Sequence, residues 1–131
     1  MIDIEVQVYN EIATRLRTEF PGIYLSGDLN LNPASFPCAY IEQADNSALT
    51  TTRDTSSNEN HVSVMFEVNA FSNKAIGRKS EVKAIMSVVD ETFNNMGFTR
   101  QTLLPMPYEE YYRMVGRWVA IADKNHTIYR R

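Results

Sequence analysis

The sequence is poor in the residues that build metal and redox sites. It contains one cysteine, Cys38, and two histidines, His61 and His126. A single cysteine excludes a disulfide within the chain and fits a reducing compartment. A zinc site would need all three of these distant residues and a carboxylate, and their spacing matches no zinc-binding motif. We therefore expect no metal and no cofactor.

Residue patterns typical of catalysis are also missing from the sequence. The five glycines form neither a phosphate-binding loop nor the turn that presents a nucleophilic serine. The acidic pairs Asp90-Glu91 and Glu109-Glu110 are adjacent in sequence, and adjacent residues on a helix do not face each other. We interpret Asp90 and Glu91 as the solvated face of a helix, and we expect that the protein is not an enzyme.

Charge and hydropathy argue against two further classes of protein. The chain carries 13 Lys and Arg residues against 16 Asp and Glu residues, a net charge of −3. This balance argues against a broad nucleic-acid-binding surface, although it leaves a local basic patch open. No signal peptide opens the sequence, and no apolar run approaches the roughly 18 residues that span a bilayer. We expect a soluble protein, made inside the cell, that binds no membrane.

Two hydrophobic periodicities define the second half of the chain. With 131 residues, the chain has the size of a single domain. Apolar residues alternate with polar ones from Val62 to Ala70, which is typical of a strand. Apolar residues then recur at helical spacing from Val82 to Met96, and Gly97 is a natural helix end. Two more strands are predicted at residues 98–106 and 112–122.

The first half of the chain completes an α+β pattern. Residues 4–20 are predicted to form a helix with Asp3 as its N-cap, although a short strand before Tyr9 is an alternative. Strands are predicted at residues 23–26 and 36–44. The order helix, three strands, helix, two strands predicts a mostly antiparallel mixed sheet of about five strands, with both helices on one face. The connection through the second helix is where a parallel strand pair can arise.

The last predicted strand is apolar on both faces near its end. Val119 and Ile121 point to one side, and Trp118 and Ala120 point to the other. Helices on one side of the sheet cover only one of these pairs, and the sequence does not say which. More of this chain or another subunit must cover the other face, so we expect an oligomer and name Val119 and Ile121 as candidate interface residues.

Residues 45–60 are almost wholly small and polar. Such side chains bond to the local backbone and offer little apolar area to bury, so a long hairpin tip is predicted here. Long loops in compact domains are often functional, and a solvated tip without a role is an equal alternative. The candidate interface residues in this segment are Thr51, Thr52, Arg53 and Asp54, of which the last two can pair across a subunit boundary.

Other candidate interface residues are charged or aromatic. Glu67 lies on the strand face opposite the alternating apolar residues, and Tyr108 and Tyr111 belong to a tyrosine cluster of a kind common at interfaces. The alternative for these residues is an ordinary rim position. Basic candidates on the last strand and at the C-terminus are Arg113, Arg117, Arg130 and Arg131.

Three further basic residues stand at the start of the second predicted helix. Arg78, Lys79 and Lys83 occupy its early turns, where positive charge opposes the helix macrodipole. Such a local conflict marks a binding face in some proteins and is tolerated surface charge in others.

The order of these elements resembles that of the tail terminator, or tail completion, proteins of long-tailed bacteriophages. Three segments are also similar to small neck or tail proteins of phages and prophages of Gram-positive bacteria, often labelled minor capsid proteins. They are PGIYLSGDLNLNPASFPCAYIEQADN (residues 21–46), ENHVSVMFEVNAFSNKAIGRKSEVKAIMSVVDETFNNMGFTR (59–100) and YRMVGRWVAIADKNHTIYRR (112–131). None contains a catalytic motif, and the family offers no functional residues to transfer to this chain.

The resemblance implies a homo-oligomeric ring, usually a hexamer, at the head-proximal end of the tail tube. Such a ring stops tube growth, contacts the tail tube protein and the connector or stopper protein of the neck, and lets DNA pass without specific binding. It is a virion component that is assembled in the cytoplasm of the host bacterium. A mildly acidic protein suits this role, because retaining DNA takes many Lys and Arg residues.

Three alternatives stay open at the level of the sequence. A head-completion or connector ring of the neck would occupy the neighbouring position in the virion. A small-molecule-binding or enzymatic α+β domain would need a convergent polar pocket. An RNA-binding module would need exposed aromatic residues beside basic ones on the sheet, and Met65 and Phe71 on one strand face are a weak signal for it.

Overall fold

The computed structural model describes residues 1–49 and 60–130. They form two helices, α1 (Glu5–Glu19) and α2 (Arg78–Met96), and six strands. The predicted α+β class and the order helix, three strands, helix, two strands are confirmed, and a short sixth strand is added at the C-terminal end. The strands are β1 (Tyr24–Ser26), β2 (Cys38–Ala48), β3 (His61–Ser72), β4 (Thr99–Pro105), β5 (Tyr112–Asp123) and β6 (Ile128–Tyr129).

The strands form one sheet in the order β1-β2-β3-β5-β4, with β6 paired to β5. β1 and β2 are parallel, whereas the other pairs are antiparallel. The sequence suggested that the two strands connected by α2, now β3 and β4, could form a parallel pair. This is wrong, because β5 lies between them. The parallel pair arises instead where residues 27–37 carry the chain back along the sheet to the start of β2.

Both helices lie on one face of the sheet, as predicted, and they contact each other. The apolar stripe predicted for α2 is the face that packs on the sheet. Alternate residues of the central strands meet the two helices and complete the main hydrophobic core. Buried members of this core are Val8, Ile12 and Leu16 of α1, Val82, Ile85, Met86, Val89 and Phe93 of α2, and Val62, Val64, Phe66 and Val68 of β3.

An aromatic cluster joins α2 to β5 at the centre of this core. The Phe93 ring stacks on Trp118, with centroids 4.7 Å apart and planes at 14°. Phe98 meets Phe93 edge-on at 5.0 Å and Phe66 at 5.6 Å. A Cβ atom at Gly116 would lie 2.4 Å from the indole ring, so the glycine provides the space that Trp118 occupies.

The predicted C-terminal end of α2 is confirmed, whereas the predicted N-cap of α1 is wrong by one residue. Gly97 ends α2 in the left-handed conformation, with φ at 104°, as predicted. The N-cap of α1 is Ile4 rather than Asp3, although Asp3 Oδ1 still accepts a hydrogen bond from the Glu5 amide at 3.0 Å. The alternative strand before Tyr9 does not form, because the helix already begins at Glu5.

Asp90 is not on the solvated face that the sequence suggested. Its Oδ1 accepts a hydrogen bond from Trp118 Nε1 at 3.0 Å, and its Oδ2 pairs with Arg100 at 3.3 Å. Asp90 therefore links α2 to both β4 and β5. The interpretation is right only for Glu91, which is exposed and pairs with Arg15 at 3.2 Å.

β2 is longer than the sequence predicted and continues to Ala48 through a register shift between Gln43 and Asp45. Asn46 Nδ2 donates a hydrogen bond to the Ile2 carbonyl oxygen at 2.8 Å, which ties this end of the strand to the N-terminal segment. The predicted polar loop therefore loses its first residues to the sheet. Residues 50–59, which include the candidate interface residues Thr51, Thr52, Arg53 and Asp54, lie outside the described part of the chain.

Candidate functional site

No helix among residues 1–49 and 60–130 lies on the second face of the sheet, which we call the open face. The register resolves the alternative that the sequence left for β5. Trp118 and Ala120 belong to the core under the helices, so Val119 and Ile121 point to the open face. The predicted interface residues Glu67, Arg117, Val119 and Ile121 thus share this face, and Arg113 lies on it further along β5.

A charged row crosses the middle of the open face. Glu42, Glu67 and Arg117 are direct neighbours on β2, β3 and β5. Arg117 Nε pairs with Glu67 Oε1 at 3.1 Å, and the side chains are 48% and 17% exposed, so the arginine remains available to a partner. Asn69 Nδ2 donates a further hydrogen bond to Glu67 Oε2 at 3.3 Å. This network holds Glu67 in place on the sheet.

Glu42 has the clearest electrostatic perturbation in this row. Burial raises the pKa of its carboxyl group, and the nearby carboxylates of Glu67, Asp28 and Glu5 raise it further. Glu42 belongs to no motif and was not among the residues predicted from the sequence. Its position next to Ile41 in β2 indicates that the two side chains lie on opposite faces of the sheet. That Glu67 is its neighbour on β3 follows only from the strand register.

An apolar area lies beside the charged row, toward the β2–β3 hairpin. Met65 faces Val119 across the β3–β5 pair, and Ile121 follows two residues along β5. Met65 and Ile121 are half-buried, and Val119 is 8% exposed. Polar residues border this area on β2, where Asp45 and Ser47 are exposed. An apolar centre with a charged and polar border is the composition of many protein interfaces.

The other end of the open face carries a second, smaller hydrophobic core. Its buried members, Cys38, Tyr40, Phe71 and Tyr111, are covered by Leu29 and Phe36 from the loop before β2. Tyr111 donates a hydrogen bond to the Leu31 carbonyl oxygen at 2.9 Å. Burial raises the pKa of the Cys38 thiol to about 11, so this cysteine is neutral and poorly nucleophilic at physiological pH.

Arg113 is buried at this end of the face and is satisfied within the subunit. Its Nε and Nη2 donate to Asn69 Oδ1 at 3.0 and 2.6 Å, and its Nη1 donates to the Tyr108 hydroxyl at 3.3 Å. The guanidinium carbon also lies 5.6 Å from the centre of the Phe71 ring. Arg113 and Tyr111, which are 8% and 9% exposed, leave little surface for a partner, whereas Tyr108 is 46% exposed.

Arg130 lies apart from the open face, at the C-terminal end of α2. It donates to the Phe98 and Asn94 carbonyl oxygens at 3.0 and 3.1 Å and to Asn94 Oδ1 at 3.1 Å. A positive charge is favourable at this end of a helix, so the position has a structural explanation. Arg131 lies outside the described residues.

The described residues contain no group of three or more His, Cys, Asp or Glu side chains that could hold a metal ion. In the same part of the chain, no helix is both long and apolar enough to cross a bilayer.

Several exposed apolar side chains were missed by sequence reasoning. Ile76, in the turn between β3 and α2, is 89% exposed. Leu104, Met106 and Leu31 are 53%, 42% and 47% exposed, near the tyrosine cluster. Each lies in a turn, in a loop or on an edge strand, where periodicity does not indicate burial.

No protein-family model matches the chain, and no curated protein matches it either. Similar solved structures include a chain whose name is a sequence identifier, with a TM-score of 0.47. The two share 11% sequence identity over 84% of this chain and 92% of that chain. A likeness at this level supports no argument about family or function.

Proposed function

We propose that this protein is a structural component of a phage virion, a tail terminator that forms a ring, usually of six copies, at the head-proximal end of the tail tube. In this role it stops the growth of the tube and presents the surface to which the head attaches. The proposal begins from the similarity of residues 21–46, 59–100 and 112–131 to phage neck and tail proteins. It requires surfaces for neighbouring copies and no catalytic group.

The open face is the observation that carries the proposal. Both helices lie on the other side of the sheet. The half-buried Met65 and Ile121 therefore form an apolar area around the nearly buried Val119, beside the Glu67–Arg117 pair, and no helix of the described chain covers it. A monomer has no need of an apolar area on the face turned away from its core. A subunit of a ring uses such an area to contact the next copy or the adjoining ring.

The charge balance supports a ring through which DNA passes. With a net charge of −3, the chain has too few basic residues in excess to neutralise a series of phosphates. A lumen that retained DNA would slow the passage of the genome, so weak electrostatic attraction suits the role. Specific contacts would be made instead with the tail tube protein and with the connector or stopper protein of the neck.

Electron microscopy of negatively stained samples tests this proposal. The purified protein is imaged alone, with tail tubes that lack their terminator, and with filled heads that lack tails. We expect rings that cap one end of each tube. Rings that bind heads and leave tube ends bare would instead indicate a head-completion ring of the neck. A protein that stays monomeric and binds a metabolite would contradict both structural roles.

A further inference from the structure

An exposed apolar side chain with basic neighbours projects at one corner of the molecule. Ile76 is 89% exposed in the turn between β3 and α2. Lys79 and Lys83, one helical turn apart at the start of α2, are exposed and form no ion pair within the described chain. Positive charge at this end of a helix is unfavourable, so a carboxylate brought to it by another molecule would be stabilised.

A cleft of about 360 Å³ with acidic residues at its border lies between the loop before β2 and the loop before β5. Leu31 and Tyr108, which are 47% and 46% exposed, form its apolar part beside the nearly buried Tyr111, and Glu109 and Glu110 stand at its border. Both glutamates are exposed and have no ion-pair partner within residues 1–49 and 60–130. The cleft therefore offers apolar area for an aliphatic side chain and negative charge for a cation beside it.

The topology places the two features at the same end of the sheet but on opposite faces. Ser72 and Tyr112 are paired on β3 and β5, so the turn after Ser72 and the loop before Tyr112 lie at one level. The turn leads to α2 on the helix side, whereas Tyr111 contacts Phe71 in the small core of the open face, with ring centres 5.1 Å apart. A neighbouring copy stacked with its helix side toward the open face would bring Ile76 to the cleft.

We propose that the Ile76 turn of one copy inserts into the Leu31–Tyr108–Tyr111 cleft of the next copy, with Lys79 and Lys83 facing Glu109 and Glu110. The contact joins two different surfaces of the same chain, so it is head-to-tail, and a chain of such contacts closes into a ring when the rotation between copies allows it. The pairs of Lys and Glu fix how the two copies align. They also disfavour a contact between the helix sides of two copies, because the lysines would then face each other. This inference rests on the proposed ring and names the surfaces that build it.

Charge reversal tests the contact, with assembly measured by sedimentation velocity over a range of protein concentrations. One variant carries Lys79→Glu and Lys83→Glu, a second carries Glu109→Lys and Glu110→Lys, and a third carries all four changes. Each two-residue variant should raise the concentration needed for half-assembly by about tenfold or more, because like charges then face each other. The four-residue variant should restore assembly, since the charges are again opposite.

An apolar pair of variants supplies a matched control. Ile76→Asp should abolish assembly, whereas Val6→Asp, at a side chain 74% exposed on α1, should leave it unchanged. At a concentration where the wild type is also unassembled, melting temperatures should stay close to that of the wild type in every variant, because all the altered side chains are exposed.

The outcomes separate this inference from the proposed function. If the wild type forms rings and the reversed or Ile76→Asp variants form them equally well, the inference is overturned and the ring stands. Failure of the four-residue variant to restore assembly also overturns it. Variants that form rings but no longer cap tubes would assign these residues to the tube contact instead. A wild type that is monomeric at every concentration would refute the contact and the proposed function together.

Discussion

Replacing Phe93 by alanine removes the side chain that joins α2 to the sheet. The Phe93 ring is fully buried, stacks on Trp118 at 4.7 Å and meets Phe98 at 5.0 Å. Truncating a buried phenylalanine costs about 3–5 kcal/mol, from lost burial and from the cavity that remains. We expect the upper part of this range, because the indole is confined between Phe93 and Gly116 and has little freedom to fill the space.

Urea denaturation measures this loss directly. The urea midpoint of Phe93→Ala should fall with an unchanged denaturant slope. For a protein of this size, about 3 °C of melting temperature accompanies each kcal/mol, so a loss of about 4–5 kcal/mol should also lower the melting temperature by about 12–15 °C. Glu91→Ala on the same helix is the control. Glu91 is 58% exposed and makes only a surface ion pair with Arg15, so its loss should cost less than about 1 kcal/mol. Equal midpoints for the two variants would refute the assignment of the buried face of α2.

Three further predictions concern single side chains. Asp90→Ala should cost about 1–3 kcal/mol, because it leaves the partly buried Trp118 N–H without its acceptor, and Asp90→Asn should recover part of that loss in the same urea assay. Burial and neighbouring carboxylates raise the pKa of Glu42 in the folded state, so its stabilising contribution is complete below the unfolded value of about 4.3 and is lost as pH rises through the folded value. Glu42→Gln should therefore be more stable than the wild type at pH 7 and lose this advantage at pH 4; a constant difference in melting temperature between these pH values would contradict the assignment. Cys38 is fully buried and its pKa is raised to about 11, so a thiol-specific disulfide reagent at pH 8 should label it only as fast as the protein unfolds. Rapid labelling of the native protein would show that the small core of the open face is open to solvent.

The elements with strong periodicity could be predicted from the sequence alone. The alternation in β3 and the apolar stripe of α2 each depend on residues within one element, and both are confirmed. The parallel pairing of β1 with β2 could not be predicted in this way, because it depends on the path of the loop that joins them. The lack of pairing between β3 and β4 depends on the position of β5, which lies later in the chain. β6 has two residues, too few to show any period.

The candidate site shows the same division between local and long-range information. Alternation alone placed Val119 and Ile121 on one face, and the strand register then identified that face as the one without helices. The burial of Arg113 depends on Asn69, 44 residues away in the chain, and the bond between Asp90 and Trp118 spans 28 residues. Such partners leave no sign in the local pattern of the sequence.

The mass of the purified protein under native conditions tests the central claim, that this chain assembles into a closed ring. The subunit mass is 15.0 kDa. Native mass spectrometry over a range of concentrations should show one discrete species at a small integral multiple of this mass, six for the proposed hexamer, with no ladder of larger species. A single species of 15.0 kDa at every concentration, or an open series of ever longer oligomers, would contradict the ring.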